Sequence, residues 1–462
     1  MPRCANSIEG CNAHEGFTKD IGFTMLVFND KNRRFDWSVI LPSFVIVCST
    51  IPWIIVRVRL IFLAPFIVLY ALLVCLRQKK SGFESSMEKR AGFFALLGAL
   101  VFFLSYLAIS SRARDEFHYG WFANSVFSLF YLWTFIRLAA ENKVKEIKVL
   151  ALVTLSVILV SAVMGTRFLS EESNRDMIRL VTGSQISIEE ENSVLAAGAG
   201  WFATVYSIGL LSVPITYAIF RVKWRCKVVF LVISLFSLLY AYRASFSILM
   251  SVIGAGMMLC LLSTVIKRIQ LFHLLAIAAL CTLVYLTINP SVFSFLAGPV
   301  SSLAEMTDNP NYAMRLTSIA EALGGNLDQY AVSRTGLLWV SWREFLKSPL
   351  VGGASGWVAI GQHSFIFDYL AMGGIFFFLP FLFFFYSYTK YLKIAVYPLS
   401  PSSRYLIEVY FYMYIMCVIL NPLSSTLLWN GFFLTLPGVS LFFTDSKLNK
   451  ESMPRRNWAR RF

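Results

Sequence analysis

Apolar runs about the length of a membrane crossing recur from residue 38 to residue 443, far more than one soluble core can absorb. A bilayer's hydrocarbon is about 30 Å thick and takes roughly 20 apolar residues per helical crossing. The runs fall at 38–56, 60–76, 91–110, 121–139, 149–165, 194–219, 228–242, 245–265, 271–288, 363–388, 405–420 and 428–443. Charged residues make up 15% of the chain and hydrophobic ones 57%; soluble domains carry about 25% and about 45–50%. The 42 phenylalanines suit a surface solvated by acyl tails better than one facing water.

The gaps between runs alternate in character. One set holds Lys31–Arg34, Arg77–Lys80 with Lys89 and Arg90, Lys143–Lys148, Arg221–Lys227, Lys267–Arg268, Lys390–Arg404 and the tail with Arg455, Arg456, Arg460 and Arg461. The other set holds few basic residues, with Lys347 its single lysine. Basic residues beside membrane spans stay cytoplasmic, so the first set faces inward and the second outward. Twelve crossings with both termini in the cytoplasm satisfy every gap. The expected fold is therefore all-α and polytopic. Residues 1–37 form a cytoplasmic lead-in, 38–288 nine transmembrane helices, 289–362 a large outer loop, 363–443 three more helices and 444–462 a basic cytoplasmic tail. Two outward connections, Arg57–Arg59 and the turn at Tyr242–Ala244, are short enough that either flanking pair of runs reads equally as one broken helix. A cleavable signal peptide is not expected, since the run Ile21–Phe28 is too brief for one.

The net charge of +15 belongs to this sidedness. A nucleic-acid partner is not expected, because no basic, aromatic-interleaved soluble domain is present to bind one. The eight cysteines lie mostly inside apolar runs, in neither a disulfide nor a zinc pattern. The outer loop 289–362 is long for a passive connection and carries helical patterns at Ala313–Leu323 and Leu337–Phe345.

On this topology the outer side carries Arg57, Arg59, Arg112, Arg114, Arg167, Arg175, Arg179, Arg243, Arg315, Arg334 and Arg343. Arginine keeps its proton and offers a planar fork that holds phosphate or carboxylate through two hydrogen bonds. Arg57, Arg59, Arg112 and Arg114 read most simply as headgroup-level residues that snorkel toward lipid phosphate. Arg243 stands apart, within the apolar stretch Leu231–Leu249, where a charge is costly unless it is paired or lines a wet cavity. An anionic ligand or an interhelical ion pair would offset that cost. His118 reads as an interfacial residue of an outer loop, His14 and His273 as cytoplasmic bystanders, and Glu189–Glu191 as a solvated acidic run.

The stretch Ser333–Ile375 carries Arg334 opening a helix with Trp339, then Pro349–Leu350, Gly352–Gly353, His363–Ser364 at the start of an apolar helix, and Gly373–Gly374 within it. This order resembles the signature region of the O-antigen polymerase and ligase family (Wzy/WaaL type), which acts on undecaprenyl-pyrophosphate-linked glycans. Tyr242–Ser245 looks like that family's second arginine site. The family pattern often places an acidic residue just before the glycine pair. Here that place falls near Met372, and the nearest acid, Asp368, lies five residues after His363 and off its helical face.

The resemblance implies an inner-membrane glycosyltransferase, most like an O-antigen polymerase, that transfers a glycan from undecaprenyl pyrophosphate to a sugar hydroxyl at the periplasmic face. It implies an inverting reaction with no cofactor and no metal. The sequence agrees on the metal, since no outward His and carboxylate cluster has ligand spacing. It also implies that Arg334 and Arg243 hold the pyrophosphate and that His363 acts as the base. His363 reads otherwise as a polar cap where a helix enters the membrane. Arg315, Arg167, Arg175, Arg179 and Tyr242 are the further substrate-binding candidates. Expected partners are the lipid-linked donor and acceptor glycans, the bilayer and a chain-length regulator. The alternatives are the family's ligase, which moves finished glycan onto lipid A–core, and a transporter of lipid-linked sugars.

Overall fold

A computed structural model describes residues 37–51, 54, 60–78, 87–110, 119–169, 206–211, 215, 224–243, 295, 297–307, 313–314, 316–317, 320–321, 334–353, 358, 360–361, 364–397, 407–408, 411 and 429–442. Among these residues every regular element is helical and none is a strand. In chain order they are α1 (Trp37–Thr50), a 3-10 turn (Leu60–Leu63), α2 (Ala64–Gln78), α3 (Met87–Ser110), α4 (Tyr119–Ala140), α5 (Val144–Leu169) and α6 (Trp224–Arg243). There follow α7 (Ala297–Glu305), α8 (Arg334–Lys347), α9 (Phe365–Ala395), a π-helical segment (Gly431–Thr435) and α10 (Leu436–Phe442). Four of the helices, within α3, α4, α5 and α9, are long and apolar enough to cross a membrane. The apolar runs 245–265 and 271–288 lie outside the described residues, as does nearly all of 405–420.

Small residues set the tightest packing. α3 buries Ala91, Ala95 and Ala99, one per turn, where it meets α9 along much of its length. A Cβ added to Gly98 of α3 would lie 3.1 Å from Phe384 Cα, and one on Gly92 would meet the Tyr391 ring at 3.2 Å. Likewise Gly438 of α10 presses on Ala151 of α5, where an added Cβ would meet the Ile147 carbonyl oxygen at 3.2 Å. Between apolar helices in lipid, where burial gives little net drive, this backbone proximity supplies the van der Waals contact that holds a bundle together. The opposite faces of α3 and α9 expose Phe93, Phe94, Leu97, Leu104, Phe376, Leu379, Leu382 and Phe383, an apolar surface suited to acyl chains.

The apolar run 363–388 predicts one membrane-crossing helix, but α9 is two arms joined at Gly374, whose φ of 63° and ψ of −166° only glycine adopts readily. The arms fold back on each other. The rings of Phe365 and Phe381 are 5.5 Å apart, and those of Tyr369 and Phe378 are 6.4 Å apart. In one continuous helix the first pair would be roughly 24 Å apart along the axis. Phe102 of α3 sits where the arms meet, packing on Phe365, Tyr369, Phe381 and Phe384, with the Phe384 ring stacked at 5.4 Å and 7°. The second arm, 375–395, is by itself long enough to cross a bilayer.

Candidate active site

The residues around the break belong to the two glycine pairs singled out in the sequence, and the pairs dock on each other. In an unbroken helix the Ile375 N–H would donate to the Ala371 carbonyl and the Phe376 N–H to that of Met372. Instead Ile375 N donates to Pro349 O at 2.9 Å and Phe376 N to Leu350 O at 3.0 Å. The released Ala371 carbonyl accepts from Gly353 N at 3.1 Å. The turn after α8 thus supplies acceptors for the two freed N–H groups and a donor for the Ala371 carbonyl, so these groups are not left bare where lipid could not solvate them. Gly352 itself has a φ of 63° and donates its N–H to Ser348 O at 2.8 Å.

A second set of bonds ties α8 to the first arm of α9. Ser341 of α8 is fully buried and donates from Oγ to Asp368 Oδ1 at 2.5 Å. The same Oγ accepts the Gly361 N–H at 2.9 Å. Asp368 is only 6% exposed and lies in the first turn of α9, where the helix dipole favours a negative charge. Its own N–H donates to Ser364 O at 2.9 Å, and Ser364 caps the helix by accepting from Phe367 N at 3.4 Å. Trp342 of α8 meets the Phe367 ring edge-on at 5.8 Å.

Four of the sequence-predicted residues fall at the ends of described helices. Arg334 opens α8, Tyr242 and Arg243 close α6, and Arg167 lies in the last turn of α5. The side chains of these four lie outside the described residues, as do His363, Arg315, Arg175 and Arg179 entirely. In the chain His363 stands between two described anchors, Gly361 and Ser364. Of the other arginines expected on the outer side, Arg343 places its guanidinium over the Trp339 ring at 5.6 Å. Beside it Lys347 pairs with Glu344. Among the described residues no group of His, Cys, Asp and Glu is arranged to hold a metal ion.

Sequence reasoning missed the Gly361–Ser341–Asp368 chain of hydrogen bonds. Asp368 reads as misplaced when the only partner sought is His363; its partner is a serine on a different helix, twenty-seven positions away. No spacing in the sequence points from Ser341 to Asp368, because the bond joins residues on two different helices.

No protein-family model matches the chain, and no curated protein or solved structure is significantly similar to it.

Proposed function

We propose that this chain is an O-antigen polymerase, a glycosyltransferase of twelve transmembrane helices that joins undecaprenyl-pyrophosphate-linked oligosaccharide repeats at the periplasmic face of a bacterial inner membrane. The observation that carries the proposal is the interlock of the two glycine pairs. The motif elements that resemble the polymerase and ligase family, separated by some twenty residues of chain, build one rigid unit from α8, its following turn and both arms of α9. Backbone contact at a helix break leaves little room for movement, and it is the kind of scaffold that holds reacting groups to sub-ångström tolerance.

In this scheme the acceptor sugar's hydroxyl oxygen attacks the anomeric carbon of the donor glycan. His363 takes the hydroxyl proton as the new C–O bond forms; an imidazole with an ordinary pKa near 6.5 is suited to this at neutral pH. The bond from the anomeric carbon to undecaprenyl pyrophosphate breaks, and the leaving group departs with the electron pair. Arg334 and Arg243 stabilise the charge that grows on it, which fixed guanidinium groups do without reorganising. Attack from the face opposite the leaving group inverts the anomeric centre. Arg315, Arg167, Arg175, Arg179 and Tyr242 contact the remaining phosphate and sugar groups. The two-armed form of α9 supports a site set below the bilayer surface. If 375–395 spans the hydrocarbon, the first arm runs back alongside it, and Ser364 lies level with Phe381, roughly 10 Å from the break.

Complementation tests this. A host lacking the gene receives wild type, Arg334→Ala, Arg243→Ala or His363→Ala at matched membrane levels, and its lipopolysaccharide is separated by gel. The polymerase leaves core plus a single repeat when deleted, and the three variants reproduce that pattern. Bare core with long chains accumulating on undecaprenyl pyrophosphate identifies the ligase instead, and an unchanged ladder removes the assignment to either.

A further inference from the structure

The polymerisation chemistry proposed above makes no use of Asp368 or Ser341, although burying a carboxylate to 6% exposure in an apolar bundle carries a desolvation cost that a merely ornamental residue would not repay. Both side chains are committed. Ser341 has one hydroxyl proton, directed at Asp368 Oδ1, and a lone pair that accepts the Gly361 N–H. A hydroxyl is a free rotor, and a neighbouring carboxylate is the acceptor that most strongly fixes where its proton points and where its lone pairs remain. Asp368 is itself held by its backbone bond to Ser364 O in the first turn of α9.

The bonds therefore clamp the chain on both sides of the predicted base. Gly361 is fastened to α8 through Ser341, and Ser364 is fastened to α9 as its cap. Only two residues separate these anchors, and His363 is one of them. α8, whose Ser341 makes the clamp, is also the helix that opens with Arg334.

We propose that Asp368 is a positioning residue: acting through Ser341, it pins Gly361, two residues before His363 in the chain, to the helix that opens with Arg334. This rests on the polymerase function proposed above. The carboxylate acts as a hydrogen-bond acceptor and not as a proton carrier, so an amide in its place does the same work. A group displaced by about 1 Å can lose roughly a hundredfold in rate, so turnover and not substrate affinity registers the loss.

The full-length protein in detergent separates the two parts. Hydrogen exchange is followed in the peptide that contains 358–364, and initial rates are measured with undecaprenyl-pyrophosphate-linked repeats as substrate. Ser341→Ala and Asp368→Ala are expected to speed exchange of that peptide about tenfold, the factor one net hydrogen bond is worth. They are expected to lower kcat about 10–100-fold with KM unchanged. Asp368→Asn keeps an acceptor oxygen for Ser341 and is expected to retain wild-type exchange, kcat and pH profile. Unchanged exchange in Ser341→Ala overturns the pin, and faster exchange with normal kcat overturns its positioning role. An Asp368→Asn protein as slow as Asp368→Ala, with an altered pH profile, means that the carboxylate's charge takes part directly and also overturns the proposal. A wild-type chain that polymerises nothing but shows the expected exchange pattern removes the polymerase function and leaves the pin standing.

Discussion

Gly352 and Gly374 meet backbone to backbone: a Cβ on Gly374 would lie 2.5 Å from Gly352 N, and one on Gly352 would lie 2.5 Å from Gly373 N. Neither neighbour is a side chain that can rotate away. Both glycines also hold a φ of 63°, which costs an L-residue about 1–2 kcal/mol before any clash. Overpacking adds about 1–3 kcal/mol more. Gly352→Ala and Gly374→Ala should each destabilise the protein by roughly 2–5 kcal/mol on those grounds. The check is thermal unfolding of the detergent-solubilised protein, with Gly298→Ala as control, since a Cβ there meets nothing within 4 Å. A Gly374→Ala protein that melts with wild type would show that the interlock does not hold the arms.

Tyr388 is fully buried in the second arm and donates its hydroxyl to the Phe432 carbonyl at 2.9 Å. Phe432 lies in the π-helical segment, where the wider turn displaces carbonyls from their usual partners. Tyr388→Phe removes that donor at almost no change in volume and should cost about 1 kcal/mol. Tyr391 donates to Ile136 O at 3.2 Å, a carbonyl inside the continuous helix α4, so Tyr391→Phe should cost less. Equal losses in the two melting curves would argue against any special need at the π segment.

How much of this was legible beforehand differs by feature. Run length and apolar content place α3, α4 and α5 to within a few residues, because a helix in lipid must satisfy its own backbone and so follows the apolar run. The same rule hides the fold-back of α9. Its arms are both apolar and both helical, and a glycine pair inside such a run reads equally as close helix packing or as a break. What decides is the turn Ser348–Gly353, which offers two carbonyls and one N–H at the place where the helix lacks them. That match is between segments distant in the chain and leaves no periodic trace. The Ser341–Asp368 bond was illegible for the same reason. Arg137, at the end of the apolar run 121–139, is 6% exposed, lies against the Tyr70 ring at 5.3 Å and pairs with Glu141, contacts that no run length announces.

That pair yields a pH dependence. Burial alone would raise the Glu141 carboxyl, but hydrogen bonds and charge from Lys143 and Arg137 outweigh it and hold the group below the ordinary glutamate range. A carboxyl depressed in the folded state stabilises fully above its unfolded pKa of about 4.3 and loses that contribution as pH falls through the folded value. Glu141 keeps 33% of its side chain in solvent, so the contribution is screened to at most about 1 kcal/mol. The melting temperature of Glu141→Gln should lie below wild type near neutral pH, and the gap should close below about pH 4. A gap that widens in acid would mean that the ion pair is not its source.

Asn430 and Thr154 set the opposite expectation for two halves of one contact. Both are fully buried, and the one Thr154 hydroxyl proton is shared between two acceptors, Leu150 O at 2.9 Å and Asn430 Oδ1 at 3.1 Å. The Asn430 Nδ2 makes no hydrogen bond among the described residues, and neither does the buried Thr435 hydroxyl in the π segment that follows. Replacing a buried polar group that is only half satisfied with an apolar one of similar shape is close to neutral or stabilising, because an uncompensated donor leaves with it. Removing its partner instead leaves the amide with less than before and costs about 1–2 kcal/mol. Asn430→Leu should therefore melt at or above wild type and Thr154→Val below it. If Asn430→Leu proves much the less stable of the two in detergent, the amide must be satisfied by a bound water or ligand, and a hydrogen-exchange or crystallographic search should then begin at Nδ2.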